Sequence, residues 1–446
     1  MPFRAESGVK SRVDWAFVFA VAGLVCLGSV AILSAASPLL HYGQVLQRHF
    51  LAMAVGALVF LFGLGFNYQI FQDQAKFIYV VILALLVAVL FVGTVSRGQR
   101  SWFHAGFFSF QPSELARIGL ILVLANFLDR RSRRIGEFNT VFYTLAVAAP
   151  VIALILREPD FSSTISFFPV VIGMLFCAGV DLGHLFLAFG YAVVSMSVPV
   201  LYTFLQVRYP MAPHNSLPVL ILQVARMGGS TALALLLIAA LGFLAWRFSA
   251  WMRWQVKPVF FVAVTLVVAA GLVTGNLVNR QIKGYQRNRL VAFVAPQSDI
   301  QGASYNVHQS QIAIGSGGLW GKGLFSGTQS QLGFLPERHT DFIYAVVGEE
   351  MGFLGTVAIL GLYLLVIWRI VVAARSARDR YGFLVCSGMA SMLSFSLIVN
   401  VGMCLGLMPV AGIPLPLVSY GGSSLVITLW AMGIVANIYA RRYSLL

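Results

Sequence analysis

The sequence is dominated by long apolar runs, each close to the length that a helix needs to cross a bilayer. One crossing of the hydrocarbon core takes about 20 apolar residues. The candidate runs cover residues 15–36, 49–66, 77–96, 112–128, 138–156, 161–180, 185–206, 228–246, 257–278, 342–368, 382–407 and 416–440. These runs predict an all-α polytopic membrane protein with about twelve transmembrane helices.

The composition excludes an ordinary soluble enzyme. Only 10% of the residues are charged and 59% are hydrophobic, whereas a soluble domain carries about 25% charged residues. A net charge of +15 would suggest nucleic-acid binding on a soluble protein. Here the basic residues fit the cytoplasmic loops of a membrane protein, so we expect no nucleic-acid partner.

The basic residues are distributed unevenly between the two predicted sides of the membrane. If the N-terminus is cytoplasmic, seventeen Lys and Arg lie in inside segments, and the short outside loops hold six: Arg48, Arg97, Arg100, Arg157, Arg208 and Arg226. Cytoplasmic loops carry an excess of such residues. The distribution therefore predicts that both termini are cytoplasmic.

One long polar segment, residues 279–341, interrupts the apolar runs on the predicted outer side. A connection of this length without regular structure is uncommon unless it has a function. We therefore treat residues 1–446 as a single membrane domain and expect the chemistry in this large extracytoplasmic loop.

The loop carries no familiar nucleotide-binding or esterase motif. In the Gly-rich stretch 315–323, Ser316 stands where a P-loop needs Gly, and Gly323 stands where it needs Ser or Thr. A lipase-type nucleophile elbow around Ser419 is also excluded, because residue 417 is Leu rather than Gly.

Asp341 stands where this basic loop meets the next apolar run. Its carboxylate could act as a general base at the membrane surface, or it could cap the helix that follows Thr340. Glu349 and Glu350 come next, at a depth where carboxylates are costly and usually functional or paired. The residues alone leave both interpretations of Asp341 open.

Other charged residues near the predicted outer surface also have two interpretations. Glu114 and Arg117 are three apart and share a helix face, so they could neutralise each other or line a polar cavity. Asp160 lies in a short turn where a local ion pair could form. Trp102 could be an ordinary aromatic-belt residue.

The segment from Pro409 to Ser424 is rich in Pro, Gly and Ser for a predicted span. Non-helical backbone at membrane depth is tolerated only where protein or a polar cavity surrounds it. The segment therefore either packs closely against helices through its small residues or lines a path.

Five motifs, in order along the chain, resemble the SEDS family (shape, elongation, division and sporulation). They are Phe-Gln-Pro-Ser-Glu-Leu-Ala-Arg at 110–117, the Gly-rich stretch 315–323, Gly-Thr-Gln at 327–329, Phe-Leu-Pro-Glu-Arg-His-Thr-Asp-Phe at 334–342, and residues 414–424. The resemblance runs from about residue 14 to the C-terminus. Residues 335–338 and 413–416 are more similar to RodA-like (elongation) members than to FtsW-like (division) members.

The resemblance implies a SEDS-type helical bundle and a peptidoglycan glycosyltransferase that polymerises lipid II at the outer face of the cytoplasmic (inner) membrane for cell elongation. It also implies work with a class B penicillin-binding protein and other membrane proteins of the elongation complex. Asp341, in the His-Thr-Asp-Phe motif, becomes the proposed catalytic residue. Residues expected to bind substrate or line the site are Arg100, Trp102, Glu114, Arg117, Asp160, Lys322, Glu337, Arg338, His339 and Ser419.

The chain departs from the family pattern in four places. In one of them, the turn 160–163, Asp-Phe-Ser-Ser replaces a more usual Asp-Leu-Gly-Thr. Arg117 stands where the family usually has Lys, so a point-like ammonium becomes a planar guanidinium. Ser109 replaces a basic residue that is common before the Phe-Gln-Pro-Ser-Glu motif. The family has ten spans, and residues 207–279 are expected to supply an inserted helix pair just before the catalytic loop.

The implied reaction is an inverting glycosyl transfer. Asp341 takes a proton from the acceptor 4-hydroxyl, which attacks the anomeric carbon of the donor and releases undecaprenyl pyrophosphate. Candidate cations for the diphosphate are Arg100, Arg117, Lys322 and Arg338, and a divalent cation (Mg²⁺ or Mn²⁺) could share this role. No organic cofactor is expected. The alternatives are a lipid II flippase that uses Glu114 and Arg117, and a non-catalytic scaffold.

Overall fold

The computed structural model describes residues 13–96, 99–105, 108–158, 160–210, 216–225, 228–282, 284–294 and 303–443. Within these ranges the chain forms eighteen α-helices and one small sheet. In chain order the helices are α1 (Trp15–Ala36), α2 (Tyr42–Gly65), α3 (Gln69–Asp73), α4 (Ala75–Val92), α5 (Pro112–Arg130), α6 (Phe138–Arg157), α7 (Phe161–Ala178), α8 (Leu182–Arg208), α9 (Leu217–Val224), α10 (Gly229–Trp251), α11 (Pro258–Gln281), α12 (Gly284–Val294), α13 (Ala303–Ser316), α14 (Thr328–Gln331), α15 (Ile343–Glu350), α16 (Gly352–Ser376), α17 (Arg380–Cys404) and α18 (Gly422–Ala440).

Strands β1 (Thr94–Ser96), β2 (Gln99–Ala105) and β3 (Phe108–Phe110) form an antiparallel sheet in that order between α4 and α5. The other regular elements of the described residues are helices, and the predicted all-α polytopic membrane fold is confirmed.

Eleven described helices are long and apolar enough to cross a membrane, one fewer than the twelve predicted runs. The difference is α5, which carries Glu114, Arg117, Asp129 and Arg130 on a helix of 19 residues. Most of α5 is nevertheless buried inside the protein. It can therefore hold charges that a lipid-facing helix could not.

The described chain divides into two compact units, of which the larger contains residues 1–180, 307–407 and 411–446. In this unit α17 packs against α5, α7 and α16, while α18 packs against α2. Helices α17 and α18 are mostly buried, so they form the centre of the unit.

The smaller unit contains residues 181–306 and 408–410. Helix α11 packs along α8, and α10 packs against α9 and α11. The predicted inserted pair, residues 207–279, corresponds to α9, α10 and most of α11. Residues 211–215 and 226–227 of that range lie outside the described residues.

The predicted long loop, 279–341, has more regular structure than expected. Helix α11 extends to Gln281, and α12, α13 and α14 follow before the chain reaches Asp341. The expectation of an irregular loop is wrong for these stretches. Residues 283 and 295–302 of the loop lie outside the described residues.

Two interruptions shape the larger unit. The predicted span 342–368 breaks between α15 and α16, where Gly352 has a φ of +65° that favours glycine. Residues 405–421 are irregular, as the Pro, Gly and Ser content of this region predicts. This irregular segment passes very close to α1, because a Cβ on Gly28 would lie 2.6 Å from the Cα of Val418.

Candidate active site

Asp341 lies at the end of a tight turn that leads into α15. The backbone N–H groups of Thr340 and Phe342 donate to the carbonyl of Glu337 (3.1 and 3.3 Å), which has a φ of +52°. Helix α15 begins at Ile343 with Phe342 at its N-cap position, so Asp341 lies one residue before the cap. Its side chain is half-buried.

The backbone of Asp341 is fixed by a buried asparagine on α17. Nδ2 of Asn400 donates to the carbonyl of Asp341 and to that of Ile413, both at 2.9 Å. One amide thus joins the catalytic candidate to the irregular segment 405–421. Because Asn400 is fully buried, water does not compete for these bonds.

Removing this amide tests its role. We expect Asn400→Ala to lower any activity that depends on Asp341 about tenfold, because losing a donor to buried carbonyls costs about 1–3 kcal/mol and frees Asp341 to shift. Single-turnover rates of the purified variant measure this. Ser396→Ala is the matched control, since Ser396 lies one turn earlier, is equally buried, and has a hydroxyl with no partner among the described residues.

The irregular segment also contacts His339, the histidine of the His-Thr-Asp-Phe motif. The N–H of Tyr420 donates to the carbonyl of His339 (2.9 Å), and the two rings lie 5.5 Å apart. Oγ of Ser419 accepts from the N–H of Leu415 at 2.8 Å. Ser419 thus shapes the segment that His339 rests on.

Arg338 is buried beside α1. Its Nε donates to the carbonyl of Ala35 at 2.8 Å, and burial lowers the pKa of its guanidinium. An arginine remains charged at neutral pH even so. Arg338 is thus a positive charge three residues before Asp341 in the sequence.

Glu349 and Glu350 hold the loop before Asp341, and we call these two residues and their hydrogen-bond donors the glutamate clamp. The carboxylate of Glu349 is fully buried. It accepts hydrogen bonds of 2.8–3.0 Å from Nζ of Lys322, Oγ1 of Thr328 and the backbone N–H groups of Gln329 and Ser330.

The carboxylate of Glu350 ties the same loop to α1. It accepts hydrogen bonds of 2.7–3.3 Å from Oγ of Ser34, Oγ of Ser330, Nε2 of Gln331 and the backbone N–H of Phe325. Backbone bonds add to the clamp, because the N–H groups of residues 322 and 323 donate to the carbonyls of residues 349 and 350. The stretch between residues 322 and 350, which carries Asp341, is thus tied together at its two ends.

The clamp changes the interpretation of Lys322. Its Nζ donates to Glu349 at 2.9 Å and to Thr328 at 2.7 Å, and its side chain is 27% exposed. Lys322 therefore neutralises a buried carboxylate, whereas the sequence suggests a cation for the diphosphate.

A second polar cluster joins the start of α5 to the start of α7. Asp160 caps α7 through the N–H and hydroxyl of Ser163 (3.0 and 2.6 Å), and Nε2 of Gln111 donates to it at 2.8 Å. The hydroxyls of Ser113 and Ser163 lie 3.3 Å apart. The predicted local ion pair at Asp160 is replaced by this hydrogen-bonded cap.

Glu114 and Arg117 lie one turn into α5, next to this cluster. Their side chains form an ion pair of 3.2 Å, and both residues are buried. Nε of Arg117 has no hydrogen-bond partner among the described residues. The pair thus leaves one guanidinium N–H available for another acceptor.

The irregular segment connects the polar cluster at Asp160 with the turn that carries Asp341. Oγ of Ser162, at the start of α7, donates to the carbonyl of Ala411, and Asn400 holds Ile413 two residues later. The same segment then reaches Ser419 and Tyr420 beside His339. Asp341 and Asp160 are therefore attached to one continuous stretch of backbone.

Arg100 and Trp102 lie on β2, in the small sheet. Arg100 is exposed and donates to the carbonyl of Leu90 at 3.2 Å, and half-buried Trp102 accepts from Oγ1 of Thr94 through its carbonyl. No described hydrogen bond or ring contact joins their side chains to Asp341 or Glu114.

Glu158, in the turn before Asp160, is fully buried, and its carboxylate has no hydrogen-bond partner among the described residues. Burial and the nearby Asp160 carboxylate raise the pKa of Glu158 to about 8. A carboxyl whose folded pKa is above its unfolded value binds more protons when folded. Its stabilisation is thus complete below about pH 4.5 and is lost as the pH rises through about 8.

We therefore expect Glu158→Gln to remove this pH dependence. Thermal unfolding of the purified protein between pH 6 and pH 9 should show the variant gaining stability over wild type as the pH rises. Parallel unfolding curves for the two proteins over that range would contradict the raised pKa.

Several site residues escape the sequence analysis. Asn400 and Ser34 are uncharged polar residues inside apolar runs, and Gln111 lies in the 110–117 motif but carries no charge. For Asn400 a signal exists, since a polar side chain within a span is costly and usually functional. For the other two, the partners are too distant in sequence to be inferred.

The described residues contain no group of three or more His, Cys, Asp or Glu side chains arranged to hold a metal ion. Mg²⁺ is usually held by one or two carboxylates together with substrate phosphates. Half-buried Asp341 is a carboxylate of this kind.

Comparisons with known proteins agree over nearly the whole chain. The FtsW/RodA/SpoVE family model, described as "Cell cycle protein", matches residues 12–213 and 211–444. The chain is 33% identical to peptidoglycan glycosyltransferase RodA of Treponema pallidum, over 97% of this chain and 98% of that protein. It is 32% identical to peptidoglycan glycosyltransferase MrdB of Escherichia coli K12, over 89% and 86%.

A solved structure from work on the structural coordination of polymerization and crosslinking by a peptidoglycan synthase complex has the same fold. It superposes with a TM-score of 0.64 at 30% identity, covering 97% of this chain and 98% of that one.

Proposed function

The chain belongs to the FtsW/RodA/SpoVE family of cell cycle proteins, and from this membership we propose that it is a peptidoglycan glycosyltransferase of the elongation type. The SEDS resemblance of the five motifs is confirmed by the family match. The RodA-like assignment agrees with relatives named RodA and MrdB. The observation that carries the proposed chemistry is Asp341, held through its backbone by Asn400 and its turn.

The protein is a multi-pass membrane protein, and we propose an orientation for it. Both termini lie in the cytoplasm, and Asp341 lies at the outer face of the cytoplasmic (inner) membrane. The excess of basic residues in the predicted inside segments supports this orientation. In it, the enzyme meets lipid II after that lipid has reached the outer leaflet.

In the proposed reaction, Asp341 accepts the proton of the acceptor 4-hydroxyl, and the oxygen attacks the anomeric carbon of the donor from the face opposite the leaving group. The bond from the anomeric carbon to the diphosphate oxygen breaks, and undecaprenyl pyrophosphate leaves with the electron pair. The configuration inverts because one displacement occurs. A positioned base of this kind contributes about 10²–10⁴-fold to a rate.

Negative charge develops on the diphosphate during the transfer, and fixed cations stabilise it. Arg117 is the best-supported candidate, since one N–H of its buried guanidinium has no described partner. Arg338 precedes Asp341 by three residues and is fixed by its bond to Ala35. Exposed Arg100 can act only if the substrate extends to the small sheet. Lys322 is the weakest candidate, because Glu349 neutralises it.

The remaining candidates shape the site. Glu337 and His339 form the turn before Asp341, while Ser419 orders the segment under His339. Asp160 holds α7 against the start of α5, and Trp102 remains a candidate for sugar contact. A divalent cation, when bound, would supply additional positive charge at the diphosphate, with Asp341 as its candidate ligand.

The proposed partners follow from the relatives. The structural neighbour belongs to a complex that coordinates polymerization and crosslinking. We propose that this chain likewise pairs with a crosslinking transpeptidase, a class B penicillin-binding protein, and with other membrane proteins of the elongation complex.

A polymerisation assay tests the function. Purified protein is incubated with lipid II, with and without a cognate class B penicillin-binding protein, in Mg²⁺, Mn²⁺ or EDTA. We expect glycan strands on gels, and loss of strands in EDTA if a divalent cation takes part. Absence of strands from folded, partnered protein, together with lipid II translocation in vesicles, would favour the flippase. Absence of both activities would favour the scaffold.

A further inference from the structure

The sequence from residue 182 to residue 298 contains no Asp or Glu. It contains nine basic residues: Arg208, Arg226, Arg247, Arg253, Lys257, Arg280, Lys283, Arg287 and Arg289. This stretch is about a quarter of the chain and has a net charge of +9, compared with +15 for the whole chain. Acidic residues within this stretch cannot neutralise these cations, so anions from outside it are their natural partners.

Three of these cations lie at one end of the inserted helix α10. We call residues 246–257 the basic–aromatic turn, because it combines Arg247, Arg253 and Lys257 with three of the eight tryptophans of the chain, at positions 246, 251 and 254. Tryptophan favours the headgroup level of a bilayer, and Arg and Lys favour its anionic phosphates.

Most of these side chains are exposed, while Trp246 is half-buried. Every residue from 250 to 260 is exposed, with Trp251 75% and Trp254 59% accessible. The ring of Phe248 lies 5.8 Å from that of Trp251 and 6.3 Å from that of Trp254. The aromatic side chains therefore form a cluster on the surface, with the cations beside it.

The backbone at Arg253 gives independent support. Arg253 closes α10 with a φ of +56°, while the N–H of Trp254 donates to the carbonyl of Ser249 at 3.0 Å. This is the position where helices usually end on glycine, and a left-handed arginine costs roughly 1–2 kcal/mol. The other described non-glycine residues with positive φ, Phe325, Glu337 and Leu417, lie in the segments around the candidate site.

Two simpler explanations account for part of the pattern. Cations at the C-terminus of a helix interact favourably with its dipole, and cytoplasmic cations fix the orientation of a membrane protein. Neither explains the exposed tryptophan cluster, nor the use of arginine where glycine fits the backbone better.

We propose that the basic–aromatic turn binds the headgroups of anionic phospholipids in the cytoplasmic leaflet. The choice of the cytoplasmic leaflet rests on the proposed orientation, whereas the preference for anionic headgroups rests on the cations and tryptophans of the turn. The tryptophan and phenylalanine rings insert at the headgroup level, and Arg247, Arg253 and Lys257 contact lipid phosphates. The inserted pair then anchors the smaller unit to anionic lipid.

The test is native mass spectrometry of the purified protein in detergent, titrated with phosphatidylglycerol or phosphatidylcholine. The triple variant Arg247→Gln/Arg253→Gly/Lys257→Gln should bind phosphatidylglycerol about 100-fold more weakly, since each such cation contributes about 1 kcal/mol, or about fivefold. Binding of phosphatidylcholine should not change. The single variant Arg253→Gly suits the backbone of the turn and should weaken phosphatidylglycerol binding about fivefold.

The control is Arg131→Gln/Arg133→Gln/Arg134→Gln, which removes equal charge from another predicted cytoplasmic turn, one that also contains Glu137. Unchanged phosphatidylglycerol binding in the first triple variant would overturn the proposal. So would equal weakening in the control, or a wild type that does not discriminate between the two lipids. The last outcome would point to an acidic protein segment as the partner. No readout depends on polymerisation, so this test is separate from that of the proposed function.

Discussion

Asp341→Asn should reduce glycan polymerisation by about 10²–10⁴-fold, the usual contribution of a positioned general base. Asparagine keeps the size and hydrogen-bonding shape of the side chain but cannot accept the acceptor proton. Because the turn at Glu337 and the amide of Asn400 hold the backbone of residue 341, we expect the variant to fold normally. Initial rates of lipid II polymerisation measure the effect.

Asp181→Asn is the matched control, because Asp181 caps α8 through the N–H of Gly183 and asparagine caps helices about as well as aspartate. It should leave the rate unchanged. If the Asp341 variant retains wild-type turnover while its melting temperature is unchanged, Asp341 is not the base. Substrate binding by the inactive variant would separate a chemical defect from a structural one.

Glu349→Gln should have the second largest effect, because it removes the charge at the centre of the glutamate clamp. Breaking a buried ion pair by removing one partner costs roughly 3–5 kcal/mol, and the partial exposure of Lys322 places the expected loss near the lower limit. The loop from Lys322 to Ser330 then loosens, and Asp341 loses its fixed position. Denaturant unfolding and polymerisation rates of the same sample should fall together.

A second substitution makes this prediction specific. Lys322→Met in the Glu349→Gln background removes the unpaired ammonium, so part of the lost stability should return. The control is Glu137→Gln, whose exposed carboxylate makes only a 4.0 Å pair with Arg134 and contributes little. Purely additive losses in the double variant would show that Lys322 and Glu349 are not coupled.

The helical architecture could be predicted from the sequence because hydropathy along a span is a local property. Each run near the length of a bilayer crossing specifies a helix whatever its neighbours do. The fourth run differed because Glu114 and Arg117 make α5 too polar for lipid, and burial by neighbouring helices is a tertiary effect. The helices within the long loop were missed because they are short and lack an apolar period.

The candidate site could be predicted only in part. Asp341, Glu114 and Asp160 could be proposed as site residues from motifs, since residue type and order survive in a linear sequence, and their roles stay predictions. Their supports were not, because Asn400 and Ser34 contact partners that are remote in the chain. The pairing of Lys322 could not be predicted for the same reason, as its partner Glu349 follows 27 residues later.

The attachment of the catalytic loop to α1 has a consequence for how the protein is made. Ser34 pairs with Glu350 and Ala35 with Arg338, contacts separated by 316 and 303 residues, and Gly28 packs against Val418. Helix α1 must therefore wait, already inserted, while the 303 to 316 residues that separate it from these partners are synthesised. Assembly of the loop is a post-insertion event, and nascent chains that end before α15 should carry inserted helices without an organised loop.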